Sequence, residues 1–350
     1  MFILKKSFYY YFLNKEVKVL ILLILLISLI IITIGSILTP VITSIIVAYF
    51  LQGGIKSLKQ LNLSETTSYL TIYFIFLTLF ITGCTILIPL LWQEFINLFN
   101  DLPQMIQQIK NILSLFMQQY QAYFSQEQVN SIVTHLTPNI QIWGKNMLSI
   151  SISSIPGIIA LIIYLILFPL LVFFFLKDHK IIISWFIKFI PHKHNLLKKI
   201  WFEMDNQLGN YIRGKILEIV LISLLTYIVF MYYKLNYSAI LAIIVGFSSL
   251  IPIIGATLVI IPIILVGFIQ LGLTNQLAYI LIIYFIIQAL DGYVLVPLLF
   301  SETINLHPVA IVISILIFGA LWGFWGIFFA IPLATLIKTI INVWPENKNI

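Results

Sequence analysis

Asp291 is the residue whose setting most needs a chemical explanation. It is the one charged side chain in the apolar run Leu277–Phe300, within the string Ile287-Gln-Ala-Leu-Asp-Gly-Tyr293. An ionised carboxylate costs roughly 2.5–3.5 kcal/mol at the centre of a membrane helix, so it faces a bundle interior or a watery cavity. Gln288 lies three residues earlier, one helical turn away on nearly the same face. The pair could carry a proton or a cation. The alternative is a structural carboxylate bonded to a neighbouring helix end or lying near the interface.

Other residues invite similar questions. Glu218 opens a second apolar run beside Arg213 and Lys215, which points to a structural ion pair near the cytoplasmic surface before it points to transport. His307 precedes Pro308. It could titrate near neutral pH, though a proline in the first turn of a helix explains the dipeptide equally well. His192-Lys193-His194 sits in a basic stretch with no cysteine or acidic cluster, so headgroup attraction accounts for it better than a metal does. Cys84 is the single cysteine, which excludes an intrachain disulfide and a cysteine-cluster metal site. No HExxH or GxSxG string occurs, and no GxxxxGK[ST] loop, so neither an intramembrane enzyme nor ATP-driven transport is indicated.

The elements that must hold these residues are membrane helices. Hydrophobic residues make up 61% of the 350 and charged residues 9%, with a mean hydropathy of +1.09. A chain so poor in charge cannot cover a water-facing surface. Apolar runs long enough to cross a bilayer recur at Val17–Leu51, Tyr69–Leu91, Ile150–Leu176, Tyr211–Tyr233, Ala239–Leu271, Leu277–Phe300 and Val309–Ile341. The net charge of +7 is spread between these runs as an orientation signal, with no basic face to suit a nucleic acid.

The first run, ~50 Å if helical, is interrupted near Gly35–Pro40. Read as a hairpin, it puts Lys5, Lys6, Lys15, Lys18, Lys56, Lys59 and the basic residues from Lys177 to Lys215 on one side, with Lys110 and Lys145 on the other. The positive-inside rule favours that arrangement, N-terminus inside. The expected organisation is a membrane hairpin and third helix (1–92), an extracytoplasmic amphipathic helical insertion (93–149) and a membrane helix (150–176). A basic cytoplasmic loop (177–210) and a C-terminal bundle (211–350) follow. The insertion carries a helical stripe that includes Phe95, Phe99, Leu102 and Ile106, suited to burial against the bundle or to a gating lid.

Two C-terminal runs are overlong and broken. One is interrupted at Ser248–Gly255, around Pro252, with Pro262 beyond. The other is punctuated by Gly319, Gly323, Gly326 and Pro332. Paired interruptions of this kind point to a transporter's midplane site, although glycine and proline also serve close packing in membrane helices. Whether the last segment crosses once or re-enters is open on sequence alone.

At these residues the chain resembles the autoinducer-2 exporter family, also called PerM-like permeases. The resemblance rests on Pro169–Asp178 (PLLVFFFLKD), Leu208–Gly214 with Lys215–Glu218, the Ile251-Pro-Ile-Ile-Gly255 break, Gln288 to Pro297 with Leu306-His-Pro308, and Phe318–Gly326 through Ile331-Pro332. The order and spacing agree over roughly 169–340. Ile253, Ala256, Leu298 and Ser301 depart from the family's usual residues, which leaves substrate and coupling ion undetermined. The resemblance implies export of a small solute such as autoinducer-2, and for some members exchange of sodium or protons.

The sequence therefore reads as an all-α integral membrane protein of the bacterial cytoplasmic membrane, with about eight transmembrane helices and Gly/Pro-broken or re-entrant segments in its C-terminal half. The expected function is secondary transport, with sodium/proton antiport and a passive channel or oligomeric scaffold as alternatives. Asp291 and Gln288 are the expected transport site, and Pro252, Gly255, Pro297, His307 and Pro308 shape it. Glu218 and Arg213 are secondary candidates. No cofactor or metal is expected beyond a proton or sodium coupling ion. Membrane lipid, a small-molecule or ion substrate and further copies of the chain are the expected partners.

Overall fold

A computed structural model of the chain describes residues 37–119, 155–188, 195–252, 254–300 and 306–343, with scattered positions between 22 and 35. The expected first hairpin arm and His192–His194 lie outside the described residues. Among the described residues every regular element is helical. In order they are α1 (Thr39–Gln60), α2 (Glu65–Thr82), a π-helical turn (Gly83–Leu87) and α3 (Ile88–Gln119). Next come α4 (Ile155–Lys177), α5 (His179–Ile187), α6 (Asn195–Tyr232), α7 (Ser238–Ser248), α8 (Ile254–Leu271) and α9 (Asn275–Leu290). A second π turn (Asp291–Leu295) leads into α10 (Val296–Phe300), then α11 (Pro308–Phe328) and α12 (Ala330–Val343).

Local chemistry sets the boundaries. Pro40 stands in the first turn of α1, where its missing N–H has no helical partner to lose. Ser64 caps α2 by accepting from Thr67 N at 3.2 Å. Each π turn is followed directly by a proline in the second position of the next helix, Pro89 in α3 and Pro297 in α10. A proline ring clashes with the carbonyl four residues before it, and a widened turn relieves that clash.

Among the described residues six helices are long and apolar enough to cross a membrane, or seven if α4 and α5, bent by 79° at Asp178, count as one span. The expected count of eight includes the first hairpin arm, which lies outside the described residues. Large apolar side chains such as Leu79, Phe285 and Ile286 are 67%, 57% and 51% exposed, as lipid-facing residues are. α3 continues from α2 through the π turn without a break at residue 92, and α5 and the first turns of α6 occupy much of the segment read as a basic loop.

Two ends of the bundle can be distinguished. At the basic end Lys59 and Lys180 both pair with Glu65, at 3.0 and 2.8 Å. At the far end Glu94 of α3 accepts from Ile240 N at 2.8 Å, and Asp101 accepts from the Tyr237 hydroxyl. These bonds dock α3 on the start of α7, while its Met105 joins the core of Phe230, Val245, Ile263 and Tyr284.

Both overlong C-terminal runs fold back on themselves. α7 and α8 form the first hairpin. Gln270, at the end of α8, accepts from Asn236 N and donates to Lys234 O just before α7, both at 2.7 Å. Its tip includes Ser249–Pro252. The second reversal is at Gly323, where φ is 60° and ψ −135°. A β-carbon on Gly326 would stand 1.8 Å from Phe318 O, whereas residues eight apart in a straight helix are ~12 Å apart. The last apolar segment therefore reverses at Gly323. Although α11 to Phe328 has the length of a span, its straight part stops at Trp322.

The first tip reaches down to Lys215 on α6. Trp325, beside the second reversal, packs against the cluster that includes Tyr211, Leu250 and Phe328.

Candidate transport site

A cavity of ≈ 610 Å³ lies where the first hairpin tip, α6, the Asp291 π turn and the second hairpin meet. Its walls include Lys215, Glu218, Ser249, Pro252, Gln288, Asp291, Pro297 and Pro308. Residues far apart in sequence are thus brought together, among them most of those singled out from sequence alone. With Lys215 at 17 positions before Tyr232 in α6, the cavity sits ~26 Å from the far end of that helix.

α6 supplies a buried ion pair. Lys215 Nζ donates to both Glu218 oxygens, at 2.9 and 2.8 Å, and to Ser249 O of the hairpin tip at 3.0 Å. The two side chains are 4% and 1% exposed. The Lys215 ammonium also lies 5.4 Å from the centre of the Phe300 ring, an attractive cation–π geometry. Gly214 lets α10 come this close, since a β-carbon there would meet Phe300 at 2.7 Å.

Asp291 faces the same space from the first position of the π turn, 9% exposed. Its Oδ1 has no hydrogen-bond partner among the described residues, and neither does Gln288 Nε2 or Ser249 Oγ. A buried polar atom left unpaired costs about 1–3 kcal/mol, and such atoms in a native fold call for an explanation such as a bound ion or solute. Here an acceptor, a donor and a hydroxyl line one cavity. Two tyrosines brace the walls: Tyr211 donates to Phe328 O at 2.8 Å and Tyr284 to Ala256 O at 2.7 Å.

Three sequence candidates stand apart from the cavity. Gly255 does not line it but shapes its rim, because a β-carbon there would lie 1.8 Å from Ser248 O. His307 is an exposed N-cap whose Nδ1 accepts from Val309 N at 3.3 Å, leaving the wall to Pro308. Arg213 donates to Asn210 Oδ1 at 2.7 Å and packs over Gly53 and Gly209. Glu218 pairs with Lys215 in the interior, not with Arg213 near the surface. Lys215 and Ser249 were missed as site residues. Lysine spacing alone reads as an orientation charge, whereas its place three residues before Glu218 was the available signal.

A larger cavity of ≈ 700 Å³ lies between α1, α4, α6 and α7. Its lining is almost wholly apolar and includes none of these charged groups, which all line the smaller one.

Known proteins resemble this chain in sequence over most of its length. The family model described as AI-2E family transporter matches residues 19–346. The Escherichia coli (strain K12) protein provisionally named permease PerM is 36% identical over 312 residues, covering 89% of this chain and 88% of that one. The Bacillus subtilis (strain 168) protein provisionally named transport protein YueF is 26% identical over 298 residues, 83% of this chain and 80% of its own. With its several membrane helices, this is a multi-pass protein of the bacterial cytoplasmic membrane, and over nearly its whole length the chain belongs to the AI-2E family of transporters.

Proposed function

We propose that the protein is a secondary carrier that exports a small solute, of the autoinducer-2 kind the family is named for, using a proton or sodium gradient. The observation that carries this reading is the meeting of Asp291 Oδ1, Gln288 Nε2 and Ser249 Oγ, all unpartnered among the described residues, in one cavity. Lys215 and Glu218 neutralise each other, so Asp291 supplies the net charge of the lining. A cation satisfies Asp291, and a hydroxyl-rich solute satisfies the amide and the hydroxyl beside it. Broken helices around such a site can present it to each side in turn.

Cation exchange alone is the second reading, favoured by the free carboxylate oxygen. Asp291→Asn in proteoliposomes tests the shared core of both. The variant should fold and reconstitute normally yet lose gradient-driven flux. Full flux in Asp291→Asn would remove Asp291 from the mechanism.

A further inference from the structure

Lys215 joins three elements at one atom. Its ammonium holds Glu218 within α6, the Ser249 carbonyl at the first hairpin tip, and the Phe300 ring of α10. Three donors on an ammonium meet three oxygen contacts, so Lys215 has none to spare for a solute. Across the same cavity Asp291 Oδ1 has no partner among the described residues. Among the described residues the charged groups in the lining are Lys215 and Glu218 from α6 and Asp291 from the π turn, and the hairpin tip, α8, α11 and α12 contribute none.

We infer that Lys215 is a latch, holding the hairpin tip closed against α6 and α10 through Ser249, and that an empty Asp291 releases it by competing for the ammonium. This rests on the reading of Asp291 as the ion site. When a cation or proton occupies Asp291, the carboxylate no longer attracts Lys215, which stays on Glu218 and Ser249. When the ion leaves, Asp291 draws Lys215 away and the Ser249 carbonyl loses its donor. The tip is then free to swing about the Lys234–Tyr237 and Gln270 end of its hairpin. Ion occupancy is thus converted into access to the cavity. Lys215 acts as a positioning residue and touches neither ion nor solute.

The test reads access directly. In a Cys84→Ser background, Ala256→Cys places one thiol in the cavity wall, and a membrane-impermeant thiol reagent is applied to either face of sealed vesicles. Lys215→Met with Glu218→Leu removes the latch without leaving a lone buried charge. Its thiol should label on one face at least about tenfold faster than the ion-loaded parent, and at that rate whatever the sodium concentration or pH, as a one-decade rise in open population requires. Asp291→Asn, neutral like the loaded site, should label slowly under all conditions.

Labelling of the double variant that slows on adding ion, as the parent's does, would overturn the latch and leave the pair purely structural. Fast labelling of the double variant in ion, with Asp291→Asn still responding to ions as the parent does, would support the latch and overturn the ion-site reading. Should the double variant fail to fold, Glu218→Gln carries the same test. It shifts Lys215 toward Asp291 and should keep labelling fast at ion concentrations that slow the parent, whereas an ion dependence equal to the parent's would overturn the latch.

Discussion

At the scale of single residues, buried charge is the property that separates function from scaffolding. Lys215→Met alone strands Glu218, which is 1% exposed, and should lower stability by about 3–5 kcal/mol. Replacing both partners with apolar residues should cost far less. Thermal unfolding in detergent measures the difference, and equal losses in the single and double variants would contradict a paired role. Glu65→Ala is the surface counterpart. Its contacts with Lys59 and Lys180 are exposed, so its effect should be far smaller than that of Lys215→Met. Asp291 and Gln288 were legible in the sequence because a lone charge in an apolar run stands out. Lys215 was not, because counting positive charges treats every lysine as a surface signal and knows nothing of the carboxylate one turn away.

At the scale of elements, glycines decide where the chain can fold back. Gly255→Ala drives a β-carbon into the Ser248 carbonyl, a backbone atom that cannot swing aside. A loss of about 1–3 kcal/mol or more is expected, with the cavity rim distorted and transport reduced. Gly83→Ala meets nothing within 4 Å and should be neutral or stabilise by roughly 0.5–1 kcal/mol, since glycine weakens a helix. Comparing the two melting temperatures checks the hairpin geometry, and equal shifts would contradict it. The breaks at Ser248–Gly255 and Gly319–Pro332 could be read from composition. Their outcome as two hairpins could not, since a hydropathy window registers the same apolar length whether the chain continues or reverses at Gly323. The π turns were not read from the sequence, although a proline follows each of them, Pro89 and Pro297. The re-aiming of Asp291 that results depends on backbone geometry that residue types alone do not specify.

At the scale of the whole molecule, the two ends differ in chemistry. The Lys59–Glu65–Lys180 cluster marks one, and the docking of α3 on α7 through Glu94 and Asp101 marks the other. With the basic end inside, a cysteine placed by Lys180→Cys should label from the cytoplasmic face and one placed by Asn236→Cys from the opposite face, both in Cys84→Ser protein. The reverse pattern would invert the orientation. Asp101→Asn and Glu94→Gln together loosen the hold of α3 on the hairpin that carries Ser249, and should raise the amide exchange rate of α3 while leaving the core of α6 protected. The central claim is coupled transport through the Asp291 cavity. It is tested most directly by the flux of labelled candidate solutes from proteoliposomes, with and without imposed proton and sodium gradients. A carrier predicts saturable flux that accelerates with one of the two gradients, whereas flux that neither saturates nor responds to either gradient would contradict it and make the cavity part of a passive pore.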